Sequence, residues 1–328
     1  MPDDLRADLL DPDTASAVGV LLARWGRPRS LTQVSGGTVA TTYRATLPDG
    51  DAVLVKVGPR ATERLLTPEH DLLRTEAMVC RIAENRPGLL MPRVLHADFT
   101  RSVLPCDAVV TTEAHGEPLL DHPVTARGTA VEREHRLGTL MADLHALGGD
   151  RFGYPGTDTV LRGDSWAEML GRLVAALLSD GARWGIPLPE DEVWEALDRH
   201  QDALAEVRRP VLVHADLRPG NLRIDPGSGE LSGVTDPGRA FFGDPMMDLA
   251  GAEPWATGEP SAALLTGYVA GGGHLDPLSS TGRLRLALCR MALRLMLRVE
   301  VALRSYPGDH RAARRVDALL ATTMADLL

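Results

Sequence analysis

Residues 211–250 read VLVHADLRPGNLRIDPGSGELSGVTDPGRAFFGDPMMDLA. The apolar run Val211–Val213 has strand character, and His214 and Asp216 leave it on a short loop. Asn221 follows five residues after Asp216. A second short apolar run, Leu222–Ile224, meets the turn formers Asp225-Pro226-Gly227, and a third, Leu231–Val234, delivers Asp236. The spacing therefore predicts a β-hairpin that carries Asp236 beside the Asp216–Asn221 loop. Such an arrangement suits phosphoryl transfer, in which one carboxylate orients an attacking hydroxyl while separate hard oxygens hold magnesium. On that reading Asp216 is the base, and Asn221 and Asp236 are the metal ligands. The plainer alternative is a hairpin whose polar residues only satisfy turns.

The order His214-x-Asp216-x-x-x-x-Asn221, then Asp236, then Gly243-Asp244-Pro245-x-x-Asp248-Leu249-Ala250 resembles the aminoglycoside phosphotransferase family. That family shares the protein-kinase fold and includes fructosamine, choline and homoserine kinase relatives. Ala215 stands where glycine is commoner, and Asp236 is followed by Pro-Gly, which blurs the subfamily without removing a chemical group. The resemblance implies an α+β, bilobal architecture. A small lobe, 1–115, would hold a five-stranded antiparallel sheet and one key helix and bind the nucleotide. A larger, mostly helical lobe, 116–328, would carry catalysis and the acceptor. It further implies ATP or GTP as donor, Mg2+, and a small-molecule hydroxyl acceptor.

Upstream, alternating polarity predicts strands at Leu31–Val34, Val39–Leu47 and Asp51–Val57, with a Pro48-Asp49-Gly50 turn between the last two. Ser35, Gly36, Gly37 and Thr38 form a glycine turn whose N–H groups could face phosphates; an ordinary hairpin would use the same residues. In the third strand Val53, Val55 and Val57 share one face, and Lys56 lies on the other with Leu54. Lys56 resembles the kinase lysine that binds α/β-phosphates. Residues Pro68–Asn85 read as a helix with Leu72, Glu76, Val79 and Ala83 on one stripe, so Glu76 is an acid on a packing face. The resemblance makes it the partner of Lys56, with Glu69 and Glu84 as alternatives. Strands at Met91–Leu95 and Asp107–Thr112 precede the segment that the family uses as a hinge, where adenine would meet Thr112 and Ala114.

Elsewhere the pattern is helical: Asp13–Trp25, with Ala17, Val20, Leu21 and Trp25 on a stripe, then Val131–Leu147, Ser165–Leu178, Glu190–Val207, Ser261–Ala270, Arg283–Ser305 and His310–Leu328. His145 flanks a leucine core stripe and reads as structural. His214 props the catalytic loop rather than moving a proton. Asp244 and Asp248 tie that loop to a following helix. In protein kinases a lysine commonly lies two residues after the catalytic aspartate; here Arg218 does, and its planar fork suits γ-phosphoryl oxygens. A solvated arginine, or one paired with Asp225, is the competing reading.

Composition bounds the partners. The chain has 328 residues, 44% apolar and 24% charged, with a formal charge of −10. These are values of a globular protein, and the negative balance disfavours nucleic acid and accords with a cationic acceptor. The acidic helix 190–207 reads as a solvated face or as a lip attracting amines. Cys80, Cys106 and Cys289 have no metal or redox spacing, which suits a reducing, cytoplasmic setting. Met1–Asp13 is acidic and broken by prolines, unlike a leader, and the arginine-studded apolar helix near residue 290 is unsuited to a membrane. The resemblance implies an antibiotic phosphotransferase or a metabolic kinase for fructosamines, amino sugars or amino alcohols, which the shared motifs do not separate, monomeric or homodimeric. A non-catalytic nucleotide binder would have no need of a base. No Ala-Pro-Glu segment follows Asp236, and protein kinase activity is not expected.

Overall fold

The computed structural model describes residues 12–34, 37, 39–121, 127–156, 159–304 and 309–328. They form two compact units. The first comprises residues 1–63 and 92–113, and the second comprises 64–91 and 114–328.

The first unit opens with α1 (Pro12–Leu22) and contains β1 (Ser30–Val34), β2 (Thr41–Thr46) and β3 (Ala52–Val57). After an excursion into the second unit as α2 (Leu72–Ala83), the chain returns as β4 (Val94–Asp98) and β5 (Ala108–Thr112). The five strands form one antiparallel sheet in the order β1-β2-β3-β5-β4. The β2–β3 turn is closed by Gly50, whose φ of 104° suits glycine. Val53, Val55 and Val57 point into a core with Tyr43, Ala45, Ala108 and Val110. Helix α1 covers that core with Val18, Leu21 and Leu22, whereas Val20, expected on the packing stripe, is 57% exposed. Strand β4 begins at Val94, not at the expected Met91, because Arg93 bonds Thr112 and leads into the ladder.

In the second unit β6 (Glu117–Pro118) is followed by α3 (Arg127–His145), β7 (Phe152–Gly153), β8 (Arg162–Gly163) and α4 (Trp166–Arg183). Ser165 caps α4 by accepting from the Glu168 amide. The single helix expected over Glu190–Val207 is two, α5 (Glu190–Arg199) and α6 (Gln201–Ala205). The break at His200 is a tertiary effect, since its Nε2 donates to the Leu327 carbonyl. Next come β9 (Val211–Val213), β10 (Leu222–Ile224), β11 (Leu231–Val234), β12 (Phe241–Gly243) and α7 (Met246–Ala252). The unit ends with α8 (Ala262–Ala270), α9 (Ser280–Arg304) and α10 (Asp309–Leu327).

Two small sheets hold the stretch that runs from Val211 to Gly243. One has the order β11-β10-β6 and the other β8-β7-β12-β9. Around them lies a core built from Leu140, Met141, Leu144, Trp166, Met169, Leu212, Phe241, Met246 and Leu295. The segment 64–91 contributes Leu66, Val79, Ala83 and Leu89 to that core. Helices α3 and α8 cross closely, and a methyl group on Gly138 would come within 2.0 Å of the Leu264 carbonyl oxygen. All three cysteines are buried, and burial raises the thiols of Cys106 and Cys289 above their ordinary range. Among the described residues, no helix is long and apolar enough to cross a membrane.

Candidate active site

Asp216 sits on the loop between β9 and β10, and its carboxylate is held from two sides. Asn221 donates its Nδ2 to Asp216 Oδ2 at 2.8 Å and to the Asp216 carbonyl at 2.8 Å. Arg218 donates Nε to Oδ1 at 3.0 Å. Because both partners of the Asn221 amide nitrogen are acceptors only, the amide orientation is determined, and Oδ1 is the atom left for a hard cation. Arg218 is therefore paired with Asp216 and not with Asp225, which instead caps its own turn by accepting from the Gly227 and Ser228 amides. The Arg218 side chain is 48% exposed, and its two Nη groups have no partner among the described residues.

The loop is fixed from below. Ala215 takes a left-handed φ of 60°, a conformation that costs a residue with a Cβ about 1–2 kcal/mol. Asp248, on α7, holds it there: Oδ1 accepts from the Ala215 amide at 2.6 Å, and Oδ2 from the His214 amide at 3.0 Å. Asp248 Oδ2 also accepts from His145 Nε2 at 2.9 Å, which leaves His145 Nδ1 to accept the Tyr268 hydroxyl, also at 2.9 Å. The Tyr268 hydroxyl is driven well above its ordinary pKa by burial and then by the Asp248 and Asp244 charges. The adjacent Asp244 is fully buried and grips Arg285 through two bonds of 2.8 and 2.7 Å.

Asp236 follows β11 in a left-handed conformation, with a φ of 61°, and is exposed. Its neighbour Thr235 registers the hairpin to the loop. The Thr235 amide donates to the Asn221 carbonyl at 2.9 Å, and the Thr235 carbonyl accepts from His214 Nε2 at 3.1 Å. His214 is 0% exposed, and its Nδ1 has no bonding partner among the described residues. Thus His214, Asp216, Arg218, Asn221 and Asp236 belong to one connected loop and hairpin.

The expected nucleotide residues are spread over both units. Lys56 is 8% exposed on β3, on the face opposite the valines, and belongs to the first unit. Glu76 is 4% exposed on α2, in the second. Of its alternatives, Glu84 is exposed and Glu69 is engaged elsewhere. Thr112 ends β5 with its amide donating to the Arg93 carbonyl, and Ala114 begins the second unit. Gly37 is described, and a methyl group there would lie 2.3 Å from the Ala40 carbonyl oxygen. Ser35, Gly36 and Thr38 lie outside the described residues.

Sequence reasoning missed Arg239. It lies three residues after Asp236 and joins a buried cluster with Glu69, Glu300 and Arg304. Arg239 bonds Glu69 at 3.2 Å and also Glu300, and Arg304 bonds Glu69 and lies 3.6 Å from Glu300. Burial alone would lower the Arg239 pKa, yet the carboxylates of Glu300, Asp216 and Glu69 hold it above its ordinary value. The only signal in the sequence was an arginine inside the otherwise apolar run Pro237–Phe242.

Solved structures share this fold. One is a candidate aminoglycoside phosphotransferase from Ralstonia eutropha JMP134, 16% identical, with a TM-score of 0.66 over 94% of this chain and 97% of that one. A second is a candidate fructosamine-3-kinase from Thermobifida fusca YX-ER1, 21% identical, with a TM-score of 0.68 over 94% and 98%. A third is a thermostable mutant of aminoglycoside phosphotransferase APH(4)-Ia in ternary complex with AMP-PNP and hygromycin B, 20% identical, with a TM-score of 0.61 over 92% and 97%. No curated protein matches the chain in sequence. The model of the phosphotransferase enzyme family matches residues 30–288, which takes in both small sheets and the loop between β9 and β10. With that match and the kinase-like architecture, the chain belongs to the phosphotransferase enzyme family and is a small-molecule phosphotransferase.

Proposed function

We propose that the protein moves the γ-phosphoryl group of ATP, or of GTP, to a hydroxyl of an aminoglycoside or a similar antibiotic. The observation that carries the reading is the Asp216 carboxylate, held at both oxygens by Asn221 and Arg218 on a loop locked by Asp248. A base fixed in this way can take an attacking hydroxyl proton with little reorganisation. Asn221 Oδ1 and the Asp236 carboxylate are the oxygens suited to magnesium, which when bound would neutralise phosphate charge. The donor set fits, since magnesium usually takes one or two protein oxygens and completes its shell with phosphates and water. The Arg218 Nη groups are assigned to the transferring phosphoryl oxygens. On the family pattern Lys56, with Glu76 as its partner, takes the α/β-phosphates, Gly37 and its neighbours contact phosphate, and Thr112 and Ala114 meet adenine. The Arg93 carbonyl takes the Thr112 amide, so Thr112 would contribute its carbonyl. Hygromycin B and AMP-PNP in the third solved structure support an antibiotic acceptor and an ATP-like donor. The likeness to the Thermobifida fusca protein supports the second reading, a metabolic fructosamine or amino-sugar kinase.

The test is ADP release by the purified protein with aminoglycosides, peptide antibiotics, fructosamines and amino sugars as acceptors. Turnover with an antibiotic, lost by a hundredfold or more on the order of general-base effects in Asp216→Ala, is the expected result. Turnover confined to fructosamines or amino sugars would replace the first reading by the second. Unchanged turnover in Asp216→Ala would remove the residue from catalysis.

A further inference from the structure

Helix α9 carries two arginines, Arg290 and Arg294, one turn apart and buried to 7% and 2% exposure. Arg294 spends its Nη groups on the Leu319 and Ala256 carbonyls and the Thr323 hydroxyl. Its Nε has no acceptor among the described residues. Arg290 reaches the Thr257 carbonyl through Nη1, at a long 3.5 Å, while its Nε and Nη2 are buried and have no bonding partner among the described residues. Those two nitrogens form one edge of the guanidinium, the side-on fork that matches two oxygens of a carboxylate or phosphate. Among the described residues neither arginine forms an ion pair.

Two like charges four residues apart on a helix repel each other, and burial without a counter-ion is costlier still. Burial and the Arg290 charge lower Arg294 to about 10, and burial also lowers Arg290. The nearest acids act at a distance only: Glu253 and Asp326 favour the charged form of Arg290 without reaching it. Glu253 is itself pushed upward, by burial first and then by Glu134, against the pull of Arg290. Helix α9 therefore carries, beside the Thr257 carbonyl, a buried guanidinium whose Nε and Nη2 are an aligned, unused pair of donors among the described residues.

We infer that the side-on edge of Arg290, backed by Arg294, is a binding site for a small oxyanion, either a phosphate or a carboxylate. None of its residues belongs to the Asp216 loop, and the inference does not depend on which acceptor is phosphorylated. Its occupant would accept two parallel bonds from Arg290 and would offset the buried charge of the pair. A ligand that binds only the folded chain stabilises it by mass action.

The test is thermal unfolding of the full chain in chloride, titrated with inorganic phosphate or with sodium acetate at constant ionic strength. Each titration is run with and without saturating MgATP. A saturable rise in Tm of roughly 2–4 °C that persists with MgATP is expected. A response to phosphate alone identifies a phosphoryl ligand, a response to acetate alone a carboxylate, and a response to both a general oxyanion site. Arg290→Lys keeps the charge and loses the fork, and should weaken the response tenfold or more. Absence of saturation, a rise abolished by MgATP, or an undiminished response in Arg290→Lys would each overturn the site. If that variant does not fold, Arg290→Gln, which removes the unpaired buried charge along with the fork, is titrated in its place, and an undiminished response there overturns the site.

Discussion

Asp216 is held by two donors that differ in what their loss would do. Asn221 is buried and tied into the hairpin, whereas Arg218 is half exposed and leaves two Nη groups for a ligand. Arg218→Met should therefore leave the fold intact and MgATP affinity little changed, while kcat falls about tenfold, the pattern of a group acting in the transition state. Steady-state kinetics decide: an unchanged kcat makes Arg218 a surface residue, and a rise in acceptor KM alone makes it a substrate contact. Ala215 gives a second test at this scale. Glycine would relieve the left-handed strain but forfeit a buried methyl, worth about 0.8 kcal/mol, so Ala215→Gly should lie close to neutral and stay active. A β-branched side chain is far worse at positive φ. Ala215→Val should lose at least ~2 kcal/mol in urea unfolding together with most turnover. Equal stability of the two variants would show that the loop's backbone is not constrained as described. The aspartates and the asparagine of this site were legible from spacing, because motif order survives on a short loop. The Arg218–Asp216 bond was not, because loop side-chain direction depends on Pro219 and on the turn that follows.

At the scale of elements, α7 is the part whose position the active loop depends on. Gly251 lies against that loop, and a methyl group there would come within 3.0 Å of the Ala215 carbonyl carbon and oxygen and 3.3 Å of the Asp216 amide nitrogen. Alanine has the better helix propensity by about 1 kcal/mol, so propensity and packing oppose each other. The obstacle is backbone held by Asp248, which cannot rotate away. Gly251→Ala should then displace Asp216 and lower kcat by roughly 10- to 100-fold, as misplaced catalytic groups do, with Tm little changed. Normal kcat in a folded Gly251→Ala protein would mean that the loop accommodates the methyl. Long helices were readable from the sequence because leucines at helical spacing, such as Leu137, Leu140 and Leu144, leave a clear period. The strands β7, β8 and β12 are too short to leave one. The break between α5 and α6 was hidden for another reason, since it follows from His200 meeting the Leu327 carbonyl, far away in the chain. The same holds for the Glu69–Arg239–Glu300–Arg304 cluster, whose members are scattered over more than two hundred residues of sequence and reveal nothing by local pattern.

At the scale of the whole molecule, the chain passes between its two units more than once. The segment 64–91, which sequence reasoning placed in the first lobe, packs with the second unit. It brings Leu66, Val79 and Leu89 into the larger core and Glu69 into the buried ion cluster. A lobe cut at residue 116 would lose both contributions. Three buried aliphatic side chains are worth about 1.5–3 kcal/mol each, or about 5–9 kcal/mol together, which rivals the whole stability of an ordinary domain. Removing Glu69 would also leave Arg239 and Arg304 facing Glu300 alone, an excess buried charge of the kind that costs about 3–5 kcal/mol. A fragment of residues 116–328 should accordingly lack a cooperative urea transition, followed by circular dichroism and tryptophan fluorescence. The full chain should show one. A fragment that unfolds cooperatively at the same midpoint as the full chain would restore the simple boundary at 115/116 and make the packing of 64–91 dispensable.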